Sequence, residues 1–206
     1  MENNFFRIFG KIISGFEFDY KVCNERFFRS KIEVMRLSGK MDVIPILVSD
    51  KLINPNENYI GKTAEIVGFI HSYNLRIKNE NHLLISAFAK KIYIKESEED
   101  VNEVYLDGYI CKKPRYRVTK HGRDVSDIFL AVNRKHNKSD YIPCICWGKD
   151  AKFSGSMEVG TRLQIKGRIQ SREYNKKISE DRFETKTAYE VSISQMEVVN
   201  DENSEN

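Results

Sequence analysis

No apolar run in this 206-residue chain approaches the ~20 residues that a membrane-spanning helix needs; stretches such as Leu83-Leu84-Ile85 end after a few positions. The opening MENNFFRIFG has no basic segment followed by an apolar one, so no secretory signal is expected and the expected location is cytoplasmic. The four cysteines, Cys23, Cys111, Cys144 and Cys146, form no CxxC pair. Cys144 and Cys146 stand two apart in an apolar run, which on a strand turns both toward one face as free thiols in a core. With His71, His82, His121 and His136 scattered, neither a metal site nor a cofactor is expected. There is no P-loop, no GxSxG and no HExxH, and Asp124 and Asp127 sit in a hairpin setting where solvated acids are the plain reading. An enzyme is therefore not expected.

What the chain does have is core material and divided charge. Hydrophobic residues make up 40%, with 12 Phe and 10 Tyr, and 31% of residues are charged, which describes a folded protein with a soluble surface. Residues 1–95 carry a net +5 and residues 102–199 a net +6, while residues 96–101 contribute −4 and residues 200–206 contribute −3. Two basic bodies around an acidic connector suit a protein that binds a polyanion.

The halves repeat. Asn4 to Ile12 faces Asn102 to Ile110 at an offset of 98, and Pro45 faces Pro143 at the same offset. Gly61 to Ile70 then faces Gly160 to Ile169 at 99, and Leu83 to Phe88 is matched to Tyr189 to Ser194. Each half reads as about five strands, in the second half near 102–111, 124–133, 140–147, 162–174 and 186–199. His121-Gly122-Arg123 marks a hairpin turn, Lys135 to Asp140 a polar loop and Asn175 to Asp181 a long charged loop. Lys149 to Met157 leaves room for a short helix or a structured turn. Gly108 and Gly167 inside strands signal bulges or corners. The expected fold is all-β, two tandem five-stranded OB-fold barrels. The domains run 1–95 and 102–199, with a linker at 96–101 and an acidic tail at 200–206. Pro45 and Pro143, each within a third strand, predict a bulge or the place where a barrel opens.

The opening Asn102 to Gly108 is followed by Lys113 to Arg123, Phe129 to Arg134, Trp147 to Ala151 and Gly167 to Tyr174. In that order and spacing they resemble the bacterial single-stranded DNA-binding protein family over most of residues 102–199. The resemblance implies an OB-fold that tracks single strands by electrostatics and base stacking, in DNA replication, recombination or repair, with no chemistry performed. Three positions match the family's stacking aromatics: Tyr141, Trp147 and Tyr174. Around them lie Lys112, Lys113, Arg115, Arg117, Arg134, Lys135, Lys138, Lys149, Arg168, Arg172, Lys176 and Lys177. Aromatic faces accept any base at about 1–3 kcal/mol each, and basic side chains neutralise phosphates. Tyr141 and Trp147 are six apart and share a face on a regular strand, although a bulge at Pro143 would break that parity. A buried position is the competing reading for each of the three rings.

The first half departs from this pattern: Val43, Ser49 and Leu75 stand where the second half has Tyr141, Trp147 and Tyr174, with Tyr20, Phe27, Phe28 and Tyr73 nearby. It would bind weakly, use other aromatics or serve in assembly. The tail lacks the hydrophobic Pro-Phe tip with which the family recruits partners. Four OB domains are usual in the family, so two per chain imply a homodimer, with replication proteins as further partners. The rival from another class is an OB-fold protein-interaction component of a primosome or conjugation apparatus. The preference for DNA over RNA rests on the resemblance, since stacking platforms do not read the 2′-OH.

Overall fold

The computed structural model describes residues 2–77, 80–96, 100–135, 137–179 and 182–200, for 75–77, 80–82, 177–179 and 182 by backbone alone. Half of the expected linker at 96–101 and nearly all of the tail at 200–206 lie outside the described residues. Strand formation follows the alternation of apolar and polar positions. In β1 (Asn4–Ile12), Phe6, Ile8 and Ile12 are fully buried while Arg7 and Lys11 turn outward. The strand β2 (Glu17–Val22) has no buried residue, whereas the pattern recurs in β3 (Glu25–Met35), β4 (Met41–Ser49), β5 (Thr63–Ile77) and β6 (Glu80–Ile94). The second half has β7 (Val101–Val118), β8 (Asp124–Arg134), β9 (Lys138–Trp147), the short helix α1 (Lys149–Ser154), β10 (Arg162–Ser179) and β11 (Arg182–Val199). Among the described residues no helix is long and apolar enough to cross a membrane.

Pairing runs in two circuits. β1 pairs with β5, β5 with β6, β6 with β4, β4 with β3, and β3 back with β1. In the second half the same round is made by β7, β10, β11, β9 and β8. Register is copied residue by residue: Lys11 faces Glu33 as Tyr109 faces Ala131, and Phe27 faces Ser49 as Val125 faces Trp147. Gly68 and Gly167 sit at matching bulges, where an added methyl would run into the Phe88 and Ser192 carbonyl oxygens of the paired strands. The two circuits are joined by antiparallel β1 and β7, in which Phe6 faces Val104, its own counterpart in the repeat. Each half thus meets the other with the same strand, the relation found in an isologous contact. Buried side chains from both halves form one core, including Phe6, Ile44, Ile66, Leu106, Leu130 and Ile142.

Four expectations need correction. The first half has six strands among the described residues, because the track that β7 follows with register shifts near Lys112 is broken into β1 and β2 around Gly15. No bulge occurs at Pro143: β8 and β9 stay in register from Arg134 and Lys138 to Val125 and Trp147. Each proline instead comes just before a seam, since β9 joins β11 only at Cys144 and Ile145, and β4 joins β6 only at Ile46 and Leu47. A strand side without a partner at that point tolerates the missing donor. The segment 175–181 is no loop up to Ser179, because β10 and β11 remain paired to the tip of a two-stranded arm. Both faces of such an arm meet water, so it shows none of the apolar alternation by which strands are recognised. The matching of Leu83 to Tyr189 is off by two residues: Ala87 pairs at the seam where Val191 does. A slip of two keeps every side chain on its face and leaves the polarity pattern unchanged.

Cys144 and Cys146 are buried free thiols on the inner face of β9, whereas Cys23 is exposed in the β2–β3 turn. Burial pushes the Cys144 thiol well above its ordinary pKa.

Candidate nucleic-acid interface

The outer side of β9 carries two of the three rings. Ile142, Cys144 and Cys146 point into the core, so the unbroken register turns Tyr141 and Trp147 together to the opposite side. They are 43% and 42% exposed, which rules out a core position for either. Trp147 closes the strand: the amide of Gly148 donates to Asp124 O at 3.0 Å, and α1 follows with Lys149 exposed at its start. Tyr174 lies on the β10–β11 arm, 40% exposed, with the Arg172 guanidinium 6.0 Å from its ring centroid.

The basic residues divide into outward and engaged groups. Lys112, Lys113, Arg115 and Lys149 are exposed, and Lys112 lies 4.8 Å from the Phe129 ring centroid. Arg117 pairs with Asp127 at 3.1 Å, and Arg172 pairs with Glu190 at 3.3 Å while remaining half exposed. Lys176 is half-buried on the arm. The side chain of Lys177 lies outside the described residues. Asp124 accepts from the Tyr116 hydroxyl at 2.5 Å and pairs with Lys152 at 3.3 Å, so the hairpin acids brace their own strands. Among the described residues no three His, Cys, Asp or Glu side chains converge to hold a metal.

Arg134 and Arg168 serve the junction between the halves. Asp42 is fully buried and accepts from Arg36 Nε at 2.6 Å, Arg168 Nη1 at 3.0 Å and the Ser171 amide at 2.7 Å. Its counterpart Asp140, equally buried, accepts from the Ser72 amide at 2.9 Å, has His71 Nδ1 at 2.8 Å and pairs with Arg134 Nε at 3.3 Å. The amides of Val43 and Tyr141 donate in turn to the Ser171 and Ser72 hydroxyls, at 3.2 and 2.7 Å. Each arm is thereby fastened to the other half by one buried carboxylate. Burial, helped by the nearby Arg36 charge, lowers the Arg168 pKa, while Asp42 raises it. This carboxylate pair escaped the sequence reading, although the offset that matches Pro45 to Pro143 also matches Asp42 to Asp140 and Arg36 to Arg134.

Exposed rings on one strand face, a third ring on an adjoining arm and a set of outward lysines and arginines are the surface features that a protein of the single-strand-binding class uses. Residues 101–199 match the Single-strand binding protein family. The chain is 34% identical over 97 residues to Single-stranded DNA-binding protein 3 of Clostridium acetobutylicum, covering 44% of this chain and 67% of that protein. It is 31% identical over 113 residues to Single-stranded DNA-binding protein 2 of the same organism, covering 52% of this chain and 84% of that one. The chain belongs to the single-strand binding protein family. The fold likeness extends further than the sequence match. The crystal structure of the wild-type single-stranded DNA binding protein from Thermus aquaticus superposes with a TM-score of 0.77 at 17% identity, over 98% of this chain and 96% of that one.

Proposed function

We propose that the protein binds single-stranded DNA without catalysing a reaction, as a cytoplasmic factor in replication, recombination or repair. The observation that carries this reading is the placement of Tyr141 and Trp147 side by side in orientation on the outer face of β9, both open to solvent. Bases stack on these rings and on Tyr174, and phosphates run past Lys112, Lys113, Arg115, Arg117, Lys149, Arg172 and Lys176. Arg134 and Arg168 border this track while holding the buried acids. The two strand circuits are read as two tandem OB-type barrels, residues 1–95 and 102–199, joined by the acidic linker 96–101 and followed by the tail 200–206. Two chains form a homodimer, which brings four barrels together.

The test is quenching of Trp147, the chain's one tryptophan, by unlabelled oligo-dT and by the matching duplex, at low and high salt. Strong quenching by the single strand, a weak response to duplex and a steep loss of affinity with salt are expected. Absence of both quenching and binding would overturn the reading. Light scattering on the same sample is expected to give twice the 24.1 kDa chain mass; a stable monomer removes the dimer.

A further inference from the structure

We propose that the first half carries its own single-strand track, made of rings that the second half lacks, and that one strand passes from it to the second half through a basic cleft at the junction. This rests on the strand-binding reading above. The rings form a continuous row. Tyr20 stacks on Phe27 with centroids 4.9 Å apart, Phe27 meets Phe88 at 5.6 Å, and Phe88 stacks on Phe69 at 4.8 Å. Phe69 then leads to His71 at 6.3 Å and His71 to Tyr73 at 6.1 Å. All but Phe27 are partly open to solvent. Phe69 and Phe88 face each other across β5 and β6 on the outer side, while Ile70, Ala87 and Ala89 point inward.

The fold does not demand these rings. At the matching places in the second half stand Val125 for Phe27, Arg168 for Phe69, Gln170 for His71, Arg172 for Tyr73 and Ser192 for Phe88, in the same strand register. A sheet that holds together with polar residues at four of these positions has no structural need for aromatic ones. Cations attend the row: Lys90 Nζ lies 5.5 Å from the Phe69 centroid, and the Arg29 guanidinium 5.9 Å from that of Tyr73. Flat faces for bases beside charges for phosphates are the two requirements of a single-stranded nucleic acid, and a duplex hides the faces that would stack.

The row does not end at the first half. A cleft of about 800 Å³ is lined by Phe69 and Lys90 on one side and by Arg134, Lys135 and Lys138 on the other. Beside Arg134, which is already paired with Asp140, the three lysines of the lining face one acid, Glu2, which pairs with Lys90 at 2.8 Å. Lys138 opens β9, the strand that bears Tyr141 and Trp147. A strand leaving Phe69 through this cleft therefore arrives beside the second half's rings.

The experiment uses the full chain with short and long oligo-dT, following Trp147 quenching for the second half and anisotropy of an end-labelled oligonucleotide for total binding. The variant pairs Phe69→Ala with Phe88→Ser, the latter copying the residue found at the matching place. Quenching by a short oligonucleotide is expected to stay at the wild-type level. Affinity for the long one is expected to fall by about 10-fold or more, and the number of nucleotides covered per chain to drop. Unchanged long-oligonucleotide affinity and coverage, in a variant with wild-type circular dichroism, overturns the inference and leaves the strand-binding reading standing. Should that variant unfold, Lys90→Ala, at an exposed position of the first half, must lower long-oligonucleotide affinity selectively; equal binding of long and short by wild type and variant alike overturns the inference. Failure of the wild-type chain to bind at all overturns both readings.

Discussion

Phe69 in β5 and Arg168 in β10 occupy one place in two copies of the same strand arrangement. The first belongs to a row of rings facing outward, whereas the second is held against Asp42 at the junction. The same divergence appears between β4 and β9, where Val43 and Ser49 answer to Tyr141 and Trp147. Inner-face residues do not diverge in this way: Ile44 and Ile142, Ile66 and Ile165, and Ile70 and Ile169 are all buried. Register is thus set by the apolar interior and by the glycine bulges at Gly68 and Gly167, where no side chain fits. The outer faces are left free to specialise, and each half has placed its aromatic rings at different positions of the shared arrangement.

The comparison is broken most severely at the junction. Asp42→Ala leaves Arg36 and Arg168 facing each other without their shared acceptor, and is expected to cost about 3–5 kcal/mol in urea denaturation. Asp140→Ala strands one arginine and should cost less, about 2–3 kcal/mol; an equal loss from both would show that the second arginine adds no strain. A middle-sized effect is expected from Lys112→Ala with Lys113→Ala, whose counterparts in the first half are the uncharged Ser14 and Gly15. The slope of log affinity against log salt for oligo-dT should become shallower by about 0.7 for each lysine that contacts a phosphate. An unchanged slope would exclude these lysines from the track.

The smallest effect sharpens a difference in ion pairing. Arg162 first, and Gln164 as well, hold the Asp107 carboxyl below its ordinary pKa of 3.8. The first half has Phe9 and Thr63 at the places of Asp107 and Arg162. A depressed folded-state pKa contributes stability that is complete above the unfolded value and is lost as pH falls through the lower folded one. Asp107→Asn is therefore expected to lower stability at neutral pH by about 1 kcal/mol and to flatten the loss below pH about 4. Parallel acid-unfolding curves for variant and wild type would refute this.

Much of the architecture was legible because the repeat and the period-two alternation report on the interior, where burial enforces them. The strands near 124–133 and 140–147, the hairpin at Gly122 and the short helix after Trp147 all follow from that logic. The shared face of Tyr141 and Trp147 was likewise readable from spacing. Features outside the reach of burial were not. The outer arm opens both faces to water, with Arg172 to Asn175 all exposed, and its tip from Asn175 so resembles a loop in sequence, while a two-residue slip in β11 changes no polarity. Phe69 and Phe88 were missed for a related reason: single aromatics between buried isoleucines and alanines look like part of the core until the register turns them outward. Nothing in the sequence around Asp42 and Asp140 marks them for burial, because the Ser171 and Ser72 amides that bind them belong to the other half of the chain.

Phe6 facing Val104 gives the joint between the halves an approximate twofold axis running through the middle of the β1–β7 ladder. In a true homodimer any substitution beside such an axis is felt twice, once from each subunit, and must suit both neighbourhoods at once. Here the two sides belong to one polypeptide, so each change is felt once and has only one neighbourhood to satisfy. Phe69 and Arg168 could part company for that reason, as could Thr63 and Arg162, without either copy losing the companion it needs in order to fold.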